Sequence, residues 1–201
     1  MKITEQWFAE HNACEEGMKW VNKYYENRKE IEAAEIVTTL RDIDTGWANW
    51  VITKVFDKTQ CVKYAIFAAE QVLHIFEDKY PEDLRPRKAI EAAKAYLENP
   101  CEATRKAAGD AYAAARVSYN IARATYDAGN ATVYAAGYAA SYAAYAVYVV
   151  CYAIRDIHAG YAITTNDAAA ITTDAAYAAC AGNEEIMVKI INYGITLLED
   201  I

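Results

Sequence analysis

DKTQCVKYAIFAAEQVLHIFED, residues 57–78, is the stretch that decides the fold. Asp57 with Gln60 three positions on reads as a capping box, the signature of a helix start. Val62, Ala65, Ile66, Phe67, Ala69, Val72, Leu73 and Phe76 then follow at spacings that leave little polar circumference. The spacing predicts a helix ending near Asp78 that is apolar on most sides, and such a helix belongs at the centre of its domain. Tyr80-Pro81 stops it, because proline cannot continue the hydrogen-bond ladder.

Outward from this segment the pattern stays helical. Towards the C-terminus, Pro86 is a good first-turn residue and opens a helix running to about Glu98. Asn99-Pro100 is a break, after which helices are expected over about 102–128, 131–158 and within 162–181. Asn183 with Glu184 and Glu185 starts a last amphipathic helix carrying Ile186, Ile190, Ile191, Ile195 and Leu198. Towards the N-terminus, Asp44 caps a helix on which Trp47 and Trp50, at i and i+3, share a face. A helix is expected over about 30–41. Asn12 with Glu15 reads as a capping box for another that ends near Tyr25. No strand alternation and no hairpin signal appears. Alanine accounts for 41 of 201 residues and tyrosine for 17, with 8 Gly and 3 Pro. Scarce breakers and abundant Ala favour long helices. The expectation is all-α: a single-domain multi-helix bundle with long Ala/Tyr-rich central helices. It divides into N-terminal helices (1–43), a core motif (44–99) and Ala/Tyr-rich helices (100–201).

Charge is uneven. Residues 1–100 carry 14 basic and 18 acidic side chains, and residues 101–201 carry 6 and 10. The net charge of -8 argues against DNA or RNA binding through a basic surface and suits a basic protein partner. The five cysteines, Cys14, Cys61, Cys101, Cys151 and Cys180, are odd in number, widely spaced and without a CxxC pair. That usage fits buried thiols in a reducing cytoplasm. The N-terminal residues have no basic stretch followed by an apolar run, so no signal peptide is read there. Residues 128–154 carry no charge, which is long enough to span a bilayer. They are Ala, Gly, Ser, Asn and Tyr, with the tyrosines in the middle, so a helix buried in a bundle is expected rather than a membrane span.

Three features are candidates for recognition. Tyr134, Tyr138, Tyr142, Tyr145, Tyr148 and Tyr152 fall on one face of a helix whose opposite face is mostly Ala. They are either large packing residues or the wall of a pocket that stacks an aromatic ligand. On the preceding helix Tyr112, Tyr119 and Tyr126 recur every seven residues, with Arg116, Asn120, Arg123 and Asp127 on the same side. That face is either solvated or turned towards the tyrosine stripe, where Arg beside Tyr permits cation–π stacking. Third, Arg85, Arg87 and Lys88 crowd the first turn of the helix begun by Pro86, where the helix dipole is already positive. They either form an anion site or are neutralised by Glu82, Asp83 or Glu70.

Signs of catalysis are missing. There is no Walker loop, GxSxG, HExxH or GxGxxG in the sequence. His11 and Cys14 at i, i+3 have no second ligand pair, so no metal is expected. Glu70 and His74 at i, i+4 are explained by an exposed strip with Lys63 and Glu77. No cofactor is implied, and the chain reads as a non-enzyme.

The run DTGWANWVITKVF, residues 44–56, followed by KYAIFAAEQVLHIFEDKYPEDLRPRKAIEAA, residues 63–93, resembles the immunity-protein helical domain of bacterial polymorphic-toxin systems. Relatives of that domain occur in phage and mobile-element genes. The resemblance rests on WANW (Trp47–Trp50), the YAxxAAE run (Tyr64–Glu70) and RPRKAIEAA (Arg85–Ala93). WFAEHNACEEGMKW, residues 7–20, resembles a leader segment often joined to such domains. The resemblance implies a non-catalytic cytoplasmic protein that neutralises a toxin, and it supplies no active-site residues. Two readings follow. One is an immunity-type inhibitor of a protein toxin or effector. The other is a phage-type anti-defence protein that sequesters a small anionic, nucleotide-like signal between Tyr and Arg. An enzyme acting on such a ligand is a third and weaker reading. The long Ala faces also suit a homodimer seam.

Overall fold

The computed structural model describes residues 1–127 and 184–200. Among them the chain is all-α, with eight helices and one very short strand pairing. The helices are α1 (Glu5–Glu10), α2 (Glu15–Tyr25), α3 (Ala33–Arg41), α4 (Thr45–Val55), α5 (Lys58–Lys79), α6 (Arg85–Glu98), α7 (Glu102–Asp127) and α8 (Glu184–Glu199). The helices expected over 131–158 and within 162–181 lie outside the described residues. Among the described residues no helix is long and apolar enough to cross a membrane.

The expected caps of the middle helices form. Asp44 accepts from Trp47 N at 3.0 Å. Asp57 accepts from Gln60 N at 2.8 Å, and Gln60 Oε1 accepts from Asp57 N at 3.0 Å, so both halves of the capping box are present. Helix α5 is the central rod. Cys61, Val62, Tyr64, Ala65, Ile66, Ala68, Ala69, Val72, Leu73 and Phe76 are all buried, which covers more than one face of it. It packs on α6 and α8, and α7 lies along α6.

Helix α8 joins the far end of the sequence to the N-terminal half. It packs against α3, α4 and α5 and buries Met187, Ile190, Ile191, Ile195, Leu197 and Leu198. Gly194 makes this approach close. A Cβ there would stand 2.7 Å from Ile52 Cδ1 on α4 and 2.9 Å from Tyr64 Cε2 on α5. The Tyr64 ring is itself fixed, because its hydroxyl donates to buried Asn49 Oδ1 at 2.8 Å.

Three details correct the sequence reading. Asn12 does not cap α2. It sits at φ 60° as the residue that ends α1: Ala13 N donates to Phe8 O at 3.0 Å and Asn12 N to Ala9 O at 3.1 Å. These two bonds are a Schellman stop, in which asparagine tolerates the left-handed conformation better than most residues. The cap of α2 is Cys14, whose Sγ accepts from Gly17 N at 3.3 Å. The helix expected from residue 30 starts at Ala33, because Ile31–Glu32 form a strand (β2) antiparallel to Lys2–Ile3 (β1), with Ile3 opposite Ile31. Tyr25 locks this pairing by donating its hydroxyl to Ile3 O at 2.9 Å.

Candidate binding site

The loop after α1, the start of α2 and the start of α4 enclose a groove of about 460 Å³. Its floor is buried apolar side chain: Phe8, Val21, Leu40 and Val51. Its walls carry Trp20, Trp47 and Trp50, all half-buried, and Asp44 lines it as well. Small residues keep it open, with Ala13, Gly17 and Gly46 along its sides. Sequence spacing alone does not reveal this groove. Spacing puts Trp47 and Trp50 on one face of one helix, but Phe8 and Trp20 reach them only through packing of three helices.

Two of the indoles are braced from behind. Trp50 stacks on Phe8 with centroids 6.2 Å apart and meets Trp7 edge-on at 5.9 Å. Trp7 in turn stacks on His11 at 4.1 Å, and His11 Nδ1 lies 2.7 Å from Trp7 O. Trp20 stacks on Tyr24 at 4.6 Å, and the Tyr24 hydroxyl lies 3.0 Å from Thr39 Oγ1. Rings held this way lose little freedom when a partner arrives, which favours binding. A half-buried cluster of tryptophans also matches the residue type that dominates interface energetics.

The start of α6 is built differently. Arg85 grips Asp83 through Nε at 2.7 Å and through its terminal nitrogen at 2.7 Å. Asp83 also accepts from Arg85 N at 3.1 Å and from Ser118 Oγ of α7 at 2.9 Å. Arg87 makes a similar two-point contact with Glu77 of α5, at 2.6 and 2.5 Å. Glu70, one of the acids expected there, instead pairs with Lys94 at 2.5 Å. Both guanidiniums are therefore already engaged by carboxylates. Lys88 is exposed and, with Lys79, Tyr80, Glu82, Leu84 and Arg85, borders a broad shallow hollow.

On α7, Arg116 and Asn120 are exposed and Tyr119 is half-buried. Tyr112 and Arg123 belong to the same helix. The buried side of α7 is Ala108, Ala115 and Ser118; Ser118 ties α7 to Asp83, and Tyr119 packs against the main core. Tyr138, Tyr142 and Tyr145, with the rest of the tyrosine stripe, lie outside the described residues. His11 and Cys14 are used as the end of α1 and the cap of α2. Among the described residues no group of three or more His, Cys, Asp or Glu could hold a metal ion.

The Asp83 corner makes a pH prediction. The Arg85 guanidinium above all, and then the Arg85 N–H and the Ser118 hydroxyl, hold the Asp83 carboxyl below the usual carboxylate range. A carboxyl whose pKa falls on folding stabilises the protein above its unfolded pKa of about 3.9, and that contribution disappears as pH drops through the folded value. Asp83→Asn should lower stability at pH 7 and flatten its decline below about pH 4. Urea denaturation of both proteins across that range checks this, and parallel acid limbs would count against it.

The model of one protein family, described as Imm-5 like putative immunity protein, matches residues 52–181. That is more than half of the chain. It belongs to this family.

The immunity-protein resemblance read at residues 44–93 is thereby established as family membership, with WANW (Trp47–Trp50) and the leader-like residues 7–20 lying before the matched span. The matched span takes in the end of α4 and all of α5, α6 and α7, including the Asp83–Arg85 and Glu77–Arg87 pairs. The aromatic groove lies before it, within residues 8–51. No curated protein and no solved structure matches the chain.

Proposed function

We propose that this Imm-5 like protein is a non-catalytic binder that neutralises a protein toxin or effector, and that it engages its target through the aromatic groove of α1, α2 and α4. The observation that carries the site is the presentation of Trp20, Trp47 and Trp50 around one opening with a buried apolar floor. The family's name supports a neutralising role. Net charge of -8 supports a basic target, since opposite charge speeds encounter and disfavours wrong partners.

The test is co-expression with a panel of polymorphic-toxin effector domains in a sensitive bacterium. The protein should restore growth against at least one of them. Trp47→Ala should weaken that complex by about 2 kcal/mol, about thirtyfold, and so reduce protection. The double variant Arg85→Ala/Arg87→Ala should protect as wild type does. Protection lost in the arginine variant and kept in Trp47→Ala would move the recognition site to the start of α6. Protection against none of the effectors would remove the neutralising reading.

A further inference from the structure

We propose that the aromatic groove receives a cationic side chain of its partner, an arginine flanked by apolar residues, lodged among the indoles with Asp44 beside it. This rests on the neutralising reading above and assigns the chemistry of the occupant.

Two opposing electrostatic effects act at the groove, and their sizes decide between a cation and an anion. Helices α2 and α4 both start at its edge, at Cys14 and Asp44. Each helix start contributes roughly half a positive charge, so the pair supplies about one. The two segments that form the groove, residues 8–21 and 40–51, carry Glu10, Glu15, Glu16, Asp42 and Asp44 against Lys19 and Arg41. Those two bases are already committed, Lys19 to Glu15 at 2.7 Å and Arg41 to Asp42 at 2.8 Å. Five acids against two bases leave these segments with a net charge of three negative; Asp44 alone of the seven lines the groove, and it contributes a full charge against the partial ones of the helix starts. An anionic guest would meet net repulsion, and a cation is attracted.

The lining adds a second argument. Trp is the strongest aromatic partner for a cation, and arginine is the cation most often found on it. Asp44 spends Oδ1 on the cap of α4 and makes no ion pair among the described residues, so its other oxygen remains available to a guanidinium. Arginine suits this combination better than lysine, because its plane stacks on indole while its edge donates to a carboxylate. The apolar floor would take the side chains on either side of it.

The experiment uses the full chain and two tripeptide probes, acetyl-Leu-Arg-Leu-amide and its citrulline counterpart. Citrulline keeps the shape and hydrogen-bonding edge of arginine without the charge. Binding is followed by indole fluorescence. The arginine peptide should bind saturably and about tenfold more tightly than the citrulline peptide. Trp47→Ala should abolish its binding. Asp44→Asn should reduce the preference between the peptides while leaving the melting temperature near that of wild type, because asparagine caps a helix as well as aspartate does. Equal binding of the two peptides, no saturable binding of either, or an unchanged preference in Asp44→Asn would each overturn the assignment. The two proposals fail separately. Equal peptide binding with protection still lost in Trp47→Ala leaves the neutralising reading standing. An arginine preference with protection intact in Trp47→Ala leaves a cation site that neutralisation does not use.

Discussion

Phe76→Ala should cost about 4 kcal/mol of folding stability, within the range for truncating a fully buried phenylalanine. The ring is completely buried in the main core near the end of α5. Its centroid lies 5.0 Å from that of Tyr80, the residue on which α5 stops before the turn into α6. The loss therefore combines the transfer energy of a benzyl group with a cavity beneath a turn. The Tyr80 hydroxyl is buried there and has no hydrogen-bond partner among the described residues, so the neighbouring ring brings no polar anchor from them with which to hold its place. Phe76→Leu, which refills most of the space, should lose much less. Urea denaturation at pH 7 measures both, and a loss below about 1 kcal/mol for the alanine variant would mean that this corner packs loosely.

Gly194→Val should be nearly as damaging, at about 3 kcal/mol, although it adds apolar atoms to a helix. Valine is a better helix residue than glycine in isolation. Here the first added carbon would stand 2.7 Å from Ile52 Cδ1 and 2.9 Å from the Tyr64 ring. The isoleucine end can swing away. The tyrosine cannot do so cheaply, because moving it breaks the buried bond to Asn49 and leaves a carbonyl unsatisfied. Gly194→Ala adds only the first of these atoms and regains about 1 kcal/mol of helix propensity, so it should lie between wild type and valine. For a chain of this size about 3 kcal/mol corresponds to a fall in melting temperature of roughly 6–12 °C. Unchanged melting of Gly194→Val would show that α8 does not press against α4 and α5.

What could be read in advance was what is local. The Asp57–Gln60 box occupies four consecutive residues, and the burial of α5 follows from a composition that leaves it only a narrow polar strip. Asn12 misleads because one residue type serves both helix starts and left-handed helix stops, and only the backbone tells which. A pairing two residues long, such as β1 with β2, has no alternation to detect. The arginines show the same limit. Asp83, two residues from Arg85, was among the expected partners. Spacing along α5 puts Glu77 on an exposed strip, and only the packing of α6 back along α5 brings it to Arg87. The groove was furthest from view, since Phe8, Trp20 and Trp47 come from three helices and converge through tertiary contacts. The available signal was the concentration of all four tryptophans within residues 7–50, in a chain where bulky aromatics elsewhere are almost all tyrosine.

The most direct measurement is the calorimetric affinity of the purified protein for an effector it protects against, taken with wild type and with Trp47→Ala. A groove that performs the neutralisation predicts a loss of about thirtyfold in Trp47→Ala, measured below the melting temperature of the variant so that it is fully folded. An unchanged dissociation constant in that variant would contradict the account and place recognition elsewhere on the chain.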